Sequence, residues 1–143
     1  MQFMLIRKAD NSTEAGTLSS QQFIADMGKY KEEMGKDGIL LAGEGLQPSS
    51  KVSRVKFSSG KPTVIDGPFA ETKELIAGFT LIQVKSRQEA IDGVKPWPAS
   101  DSDGNVEIEI RQLFEPEDFG PEFTLGMREA EEKMPSRWKT KKQ

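Results

Sequence analysis

Six residues near the middle of the chain have the types and spacing to bind a small molecule and move a proton on it: Glu44, Arg54, Asp66, Phe69, Glu71 and Lys73. Asp66 opens the run Ile65-Asp66-Gly67-Pro68-Phe69-Ala70-Glu71-Thr72-Lys73-Glu74. Gly67 takes unusual φ values without a Cβ clash, while Pro68 fixes its own φ and restricts its neighbour. A turn built this way has a defined shape and holds Asp66 in a fixed relation to Glu71, Lys73 and Glu74. Burial beneath Phe69 would suit Asp66 to act as a general base or acid. Lys73 or Arg54 would hold an anionic or enolate-like group, and Glu44 would line the pocket between sheet and turn. The chemistry would be proton transfer on a small carbonyl compound, an isomerisation or a dehydration. A plainer reading stands beside it. Asp66 caps the turn, Glu71, Lys73 and Glu74 form a solvated helix face, and Glu44 sits at a β-bulge between Gly43 and Gly45.

Composition narrows the chemistry. The chain has 143 residues, 35% of them hydrophobic and 30% charged, with neither cysteine nor histidine. Disulfides, thiolate nucleophiles, zinc–thiolate sites, His-based triads and His-ligated haem are excluded. Acid–base work falls to Asp, Glu, Lys or the lone Tyr30. A metal site would need oxygen ligands alone, and no usual Mg²⁺ or Ca²⁺ spacing appears, so neither a metal nor a cofactor is expected. Net charge is −3, but the last nine residues hold four basic residues and no acid. An acidic body argues against nucleic-acid binding. No apolar run is long enough to span a bilayer, and MQFMLIRKAD reads as a strand rather than a secretory signal, so the expected location is the cytoplasm.

The elements that must position the candidate residues are legible in order. QFMLIRK (2–8) reads as a strand inside a sheet, and ADNSTEAGT as a polar loop. A helix is expected over 20–37, with Ser19 as N-cap, Gln22 as its capping-box partner and Gly38 as the stop. Phe23, Met27, Tyr30 and Met34 give it one apolar stripe. Ile39–Ala42 starts a second strand. KVSRVKFS (51–58) alternates, with Arg54 and Lys56 on one face, and turns at Ser59-Gly60-Lys61 into Pro62–Ile65. Glu71–Ile76 could add one or two helical turns capped by Asp66. Gly78–Val84 is a strand, and Ser86 with Glu89 caps a short helix that Lys95-Pro96-Trp97-Pro98 ends. NVEIEIRQL (105–113) alternates strictly as the last strand. The order β-α-β-β-(β)-β-α-β fits a split βαβ antiparallel sheet with its helices on one face. The other face is then bare, which favours stacking against a second copy. From Phe114 the chain turns acidic and proline-marked, a candidate interaction surface, with an amphipathic helix over 125–134.

DGPFAETKE, with GEGLQP before it and the acidic tail after it, resembles the DGPF proteins, a branch of the YCII-related family. The resemblance covers nearly the whole chain. It implies an α+β, ferredoxin-like dimeric α-β barrel over residues 1–114, a C-terminal extension over 115–143, and a homodimer formed through the sheets. It carries over the signature residues Asp66, Gly67, Pro68, Phe69, Glu71, Thr72, Lys73 and Glu74. The related YCII proteins carry a His–Asp pair held to be catalytic, and a chain without histidine cannot use it. DGPF proteins are often encoded beside extracytoplasmic-function sigma factors. A non-catalytic sensor or interaction module is therefore the alternative to a small-molecule binder with isomerase- or lyase-type chemistry.

Overall fold

The computed structural model describes residues 1–134. Its basic tail, and any nucleic-acid contact made by it, lies outside the described residues.

Four strands form the main sheet: β1 (Gln2–Lys8), β2 (Leu40–Gly45), β5 (Ile76–Gln83) and β6 (Ile108–Gln112), ordered β2-β5-β1-β6 with every pair antiparallel. Helix α2 (Gln21–Lys36) links β1 to β2, and α3 (Arg87–Val94) links β5 to β6. This is the ferredoxin-like α+β topology expected from the sequence. Strands β3 (Ser53–Ser58) and β4 (Lys61–Asp66) pair only with each other, as a separate hairpin between β2 and β5.

The core lies between the sheet and the helices. Phe3, Leu5 and Ile82 are fully buried and meet Tyr30 and Met34 of α2 and Ala90 of α3. The four-three-four spacing of the α2 stripe thus aims at the sheet as its periodicity predicts. Register sorts the remaining strand residues. Phe3, Leu5 and Arg7 share the helix-covered side with Ile82, Thr80, Ile110 and Ile108. Met4, Ile6, Phe79, Leu81, Ala42 and Glu44 alternate with them and share the other side with Glu109 and Arg111.

Several local expectations change. The N-cap of α2 is Ser20, whose hydroxyl accepts from the Phe23 N–H, not Ser19; Gln22 bonds Asp26 instead of completing a capping box. The polar loop after β1 contains α1 (Asn11–Glu14), one turn closed by a capping box between Asp10 and Thr13. Residues 72–74 form a single tight turn followed directly by β5, so no helix grows from Glu71 and Asp66 caps nothing there. The register shift in β2 falls between Leu40 and Ala42, ahead of Glu44. In the tail, α4 spans Leu125–Glu132.

Candidate functional site

Two clusters stand near the end of the sheet where β1 and β2 finish and β5 begins. The first is the turn after β4. The Gly67–Pro68 peptide is cis, and the Gly67 N–H donates to the Val52 carbonyl at 2.8 Å. A Cβ on Gly67 would lie 1.8 Å from the Ser49 carbonyl oxygen, so only glycine fits there. Ser49 is the hub. It is 2% exposed, its hydroxyl accepts from the Phe69 N–H at 3.0 Å, and it donates to the Glu14 carboxylate. Glu14 also accepts from the Ser49 N–H at 3.1 Å. Three segments remote in sequence, α1, residues 48–52 and the turn, are clamped by one serine and one carboxylate. Charge-assisted bonds of this kind are stronger than neutral ones, so the turn is well fixed.

The six expected site residues divide on this frame. Arg54 and Phe69 come together: the guanidinium carbon lies 3.6 Å from the ring centroid, a cation–π contact. The fork of Arg54 makes no hydrogen bond or ion pair among the described residues, so its N–H groups face solvent. Asp66 is exposed, not buried beneath Phe69, and accepts from the Ser53 hydroxyl across the hairpin at 2.6 Å. Ser53 is its register partner, which explains why it reaches sideways rather than forward as a cap. Glu71 and Lys73 are exposed on either side of the tight turn, and Glu44 is exposed on the sheet face without helices.

The second cluster was not anticipated. Arg7, at the end of β1, points to the helix side and is buried against Asp101, 94 residues away. Its Nε and Nη2 donate to the two Asp101 oxygens at 3.2 and 2.7 Å, a fork-on-carboxylate pair. Nη2 also reaches Asp10 at 3.1 Å and the Ser102 hydroxyl at 2.9 Å, and Nη1 donates to the Lys8 carbonyl. The Trp97 indole N–H donates to Asp101 at 2.9 Å, and its ring packs on Tyr30 with centroids 5.5 Å apart. Trp97 is therefore an anchor. Burial by itself would lower the Arg7 pKa, but the bonds and charges of Asp101 and Asp10 outweigh it and raise the pKa further. Burial would likewise raise Asp10; the Thr13 N–H, the Ser102 hydroxyl and Arg7 outweigh it and lower its pKa.

Beside this network lies a cavity of about 390 Å³, lined by Lys8, Asp10, Asn105 and Glu107 among others. Gly104 and Asn105, which line it, follow two strained residues. Ser102 and Asp103 both adopt left-handed φ, 45° and 54°, which costs non-glycine residues about 1 kcal/mol or more each. The Ser102 hydroxyl repays this by donating to Asp10 at 2.7 Å while accepting from Arg7. The Ala9 N–H bonds the Leu75 carbonyl at 3.0 Å, so the cavity rim is tied to the chain just after the turn. None of the six expected residues lines the cavity. Asp10 had a readable signal, the Asp-x-x-Thr capping box, whereas the Arg7–Asp101 pairing left no local trace.

Comparison with known proteins fixes the lineage. Residues 1–114 match the YCII-related domain. The chain belongs to the YCII-related family. An uncharacterised protein of Rhizobium meliloti (strain 1021) is 38% identical to this YCII-related chain over 85 residues, 59% of this chain and 66% of that relative, just under two thirds of its length. Among solved structures, 5-chloro-2-hydroxyhydroquinone dehydrochlorinase of Burkholderia phenoliruptrix AC1100, in complex with 2,5-dihydroxybenzoquinone, is similar at 15% identity with a TM-score of 0.42, over 82% of this chain and 99% of that one. Among the described residues, no helix of this YCII-related protein is long and apolar enough to cross a membrane, and no group of three or more Asp and Glu side chains is placed to hold a metal ion.

Proposed function

We propose that this protein binds a small polar molecule, bearing an anionic or hydroxyl group, in the cavity at the end of β1, and that it does so as a homodimer of stacked sheets. The observation that carries the reading is the cavity itself. Its size falls in the range of small-ligand sites, and among its lining residues Lys8 offers a donor and Asp10 and Glu107 offer acceptors. Support for binding ahead of catalysis comes from Asp10. A carboxyl held below its ordinary range by three donors is a weak base, suited to orienting a hydroxyl. The dimer is supported by the half-buried apolar residues Met4, Phe79 and Leu81, which adjoin on the sheet face without helices.

A second reading places the ligand at the turn. It is favoured by the exposed, unpaired guanidinium of Arg54 held over Phe69, ready for a carboxylate or enolate. Asp66 would then be the acid–base group.

A thermal-shift panel of keto acids, hydroxylated aromatics and quinones separates the two, run on the wild type, Lys8→Ala and Arg54→Ala. A ligand at a hundred times its dissociation constant stabilises by about 2.7 kcal/mol, which is several degrees for this size. A shift lost in Lys8→Ala and kept in Arg54→Ala supports the cavity; the reverse pattern moves the site to the turn. No shift across the panel overturns both. A hit returned unchanged after incubation favours a sensing role, as in a module serving a sigma factor; a hit chemically altered favours acid–base chemistry.

A further inference from the structure

The helix side of β2 is bare toward the end of the strand. By register Gly43 pairs with Thr80 and Gly45 with Gly78, and all four lie on the side that α2 covers. Packing explains Gly78, where a Cβ would come within 3.1 Å of the Glu44 carbonyl oxygen. It does not explain Gly45. No positive φ requires glycine there, and a Cβ would meet nothing within 4 Å. Glycine weakens a strand and often marks a place where a ligand or another backbone comes close. No backbone comes close to this side of Gly45, so the space above it stands open.

Two polar groups border this space, and neither has a partner. Lys31 of α2 lies across β2: a Cβ on Gly43 would meet its Cε at 3.4 Å and its Nζ at 3.5 Å. Its ammonium makes no hydrogen bond or ion pair among the described residues, whereas Lys36 on the same helix pairs with Glu32. Thr80 is the second group. It is 3% exposed, yet its hydroxyl makes no hydrogen bond among the described residues. Every fully buried side-chain polar atom among those residues has a partner, so this hydroxyl touches solvent. It does so toward β2. Its neighbour on β1 is Leu5, 0% exposed, and the next helix-side residue of β5 is Ile82, 1% exposed. Gly43 and Gly78 leave the remaining directions bare. A nearly buried hydroxyl without a partner is unfavourable, and a shared ligand would satisfy it together with the ammonium.

The surroundings give the chemistry of that ligand. An ammonium and a hydroxyl can both donate to one carboxylate. The side of α2 that carries Lys31 is otherwise apolar toward the helix start, with Met27 one turn before it and Ile24 two turns before it. β1 and β2 both run antiparallel to β5, so α2 runs back between them and these two residues lie toward Gly45. β2 is an outer strand, which opens the groove along the sheet edge.

We propose that this groove binds a small carboxylic acid with an apolar body, its carboxylate on Lys31 and Thr80 and its body over Gly45 beside Met27. The site shares no residue with the cavity at the end of β1 or with the turn after β4, and it stands or falls independently of them.

Benzoate is a suitable probe, titrated into the full chain labelled with ¹⁵N and followed by NMR. The expected result is a saturable shift of the Gly43, Gly45 and Gly78 amides. Lys31→Met removes the charge, and Gly45→Val fills the space with a residue that suits a strand. Each should weaken binding about tenfold or more while the melting temperature holds. Thr80→Val, which deletes a hydroxyl that bonds nothing in the chain, should weaken binding without loss of stability. Absence of a saturable shift at these three amides overturns the proposal, as does binding that survives Lys31→Met and Gly45→Val. Inorganic phosphate that binds as tightly as benzoate overturns the carboxylate with its apolar body. Shifts centred on Lys8 and Asp10, or on Arg54 and Phe69, move the acid to one of the other sites and overturn this one.

Discussion

Arg7 and Asp101 form a buried ion pair, with side chains 8% and 7% exposed. Desolvating two charges is costly, and the pair is worth keeping only because every strong donor and acceptor finds a partner: Asp10, Ser102, Trp97 and the Lys8 carbonyl close the network. Removing one charge leaves the other stranded. Arg7→Met should therefore cost about 3–5 kcal/mol in chemical denaturation. Arg7→Met combined with Asp101→Asn, which keeps an acceptor for Trp97, should cost less than Arg7→Met by itself. A double variant that loses the sum of the two single losses would show that the residues are not coupled. None of this was visible in the sequence, because nothing local marks an arginine in β1 as the partner of an aspartate in a loop 94 positions on. Glu14 and Ser49 escaped for the same reason. Arg54 and Phe69 were both named, but their contact belongs to tertiary structure.

Elements were more legible than contacts, wherever a period or a cap carried the signal. Helix α2 announced itself through its stripe and Gly38, which takes φ +70° as a helix stop does. Adjacent serines at 19 and 20 make a one-residue error in its cap natural. The alternation of β3 and β6 set their faces. One-turn α1 is too short to show a period. ETKE has helical composition, yet β5 begins at Ile76 and leaves no room for a helix. The turn ahead of it depends on a glycine, for a reason that composition does not reveal: Gly67 touches the Ser49 backbone. Gly67→Ala should lower stability by more than about 2 kcal/mol, because either the turn or residues 48–52 must move. A Tm within a degree of wild type would mean that the clamp yields easily. The same variant should disturb the Arg54–Phe69 contact, since Phe69 hangs from Ser49 two residues further on.

At the scale of the whole molecule, Tyr30 joins the two helices. Its hydroxyl donates to the Gly93 carbonyl of α3 at 2.5 Å, and burial pushes its pKa up to about 12 from an ordinary value of 10. A folded value above the unfolded one stabilises the fold fully below pH 10, and the gain disappears as pH rises through 12. Because Tyr30 is the sole tyrosine, absorbance of the phenolate should titrate near 12 in the native protein and near 10 in denaturant. Equal midpoints would refute the buried bond. The sheet order has a consequence for synthesis. β1 is the first strand made, yet it lies between β5 and β6, whose last residues come 75 and 104 positions after Lys8. At roughly 5–20 residues per second, Phe3-Met4-Leu5-Ile6 waits about 4–15 s for its first neighbour and longer for its second. During that wait the nascent chain displays its most apolar segment with both edges open. Yield in the cell should therefore respond to translation speed and to chaperone supply more than the stability of the finished fold would suggest.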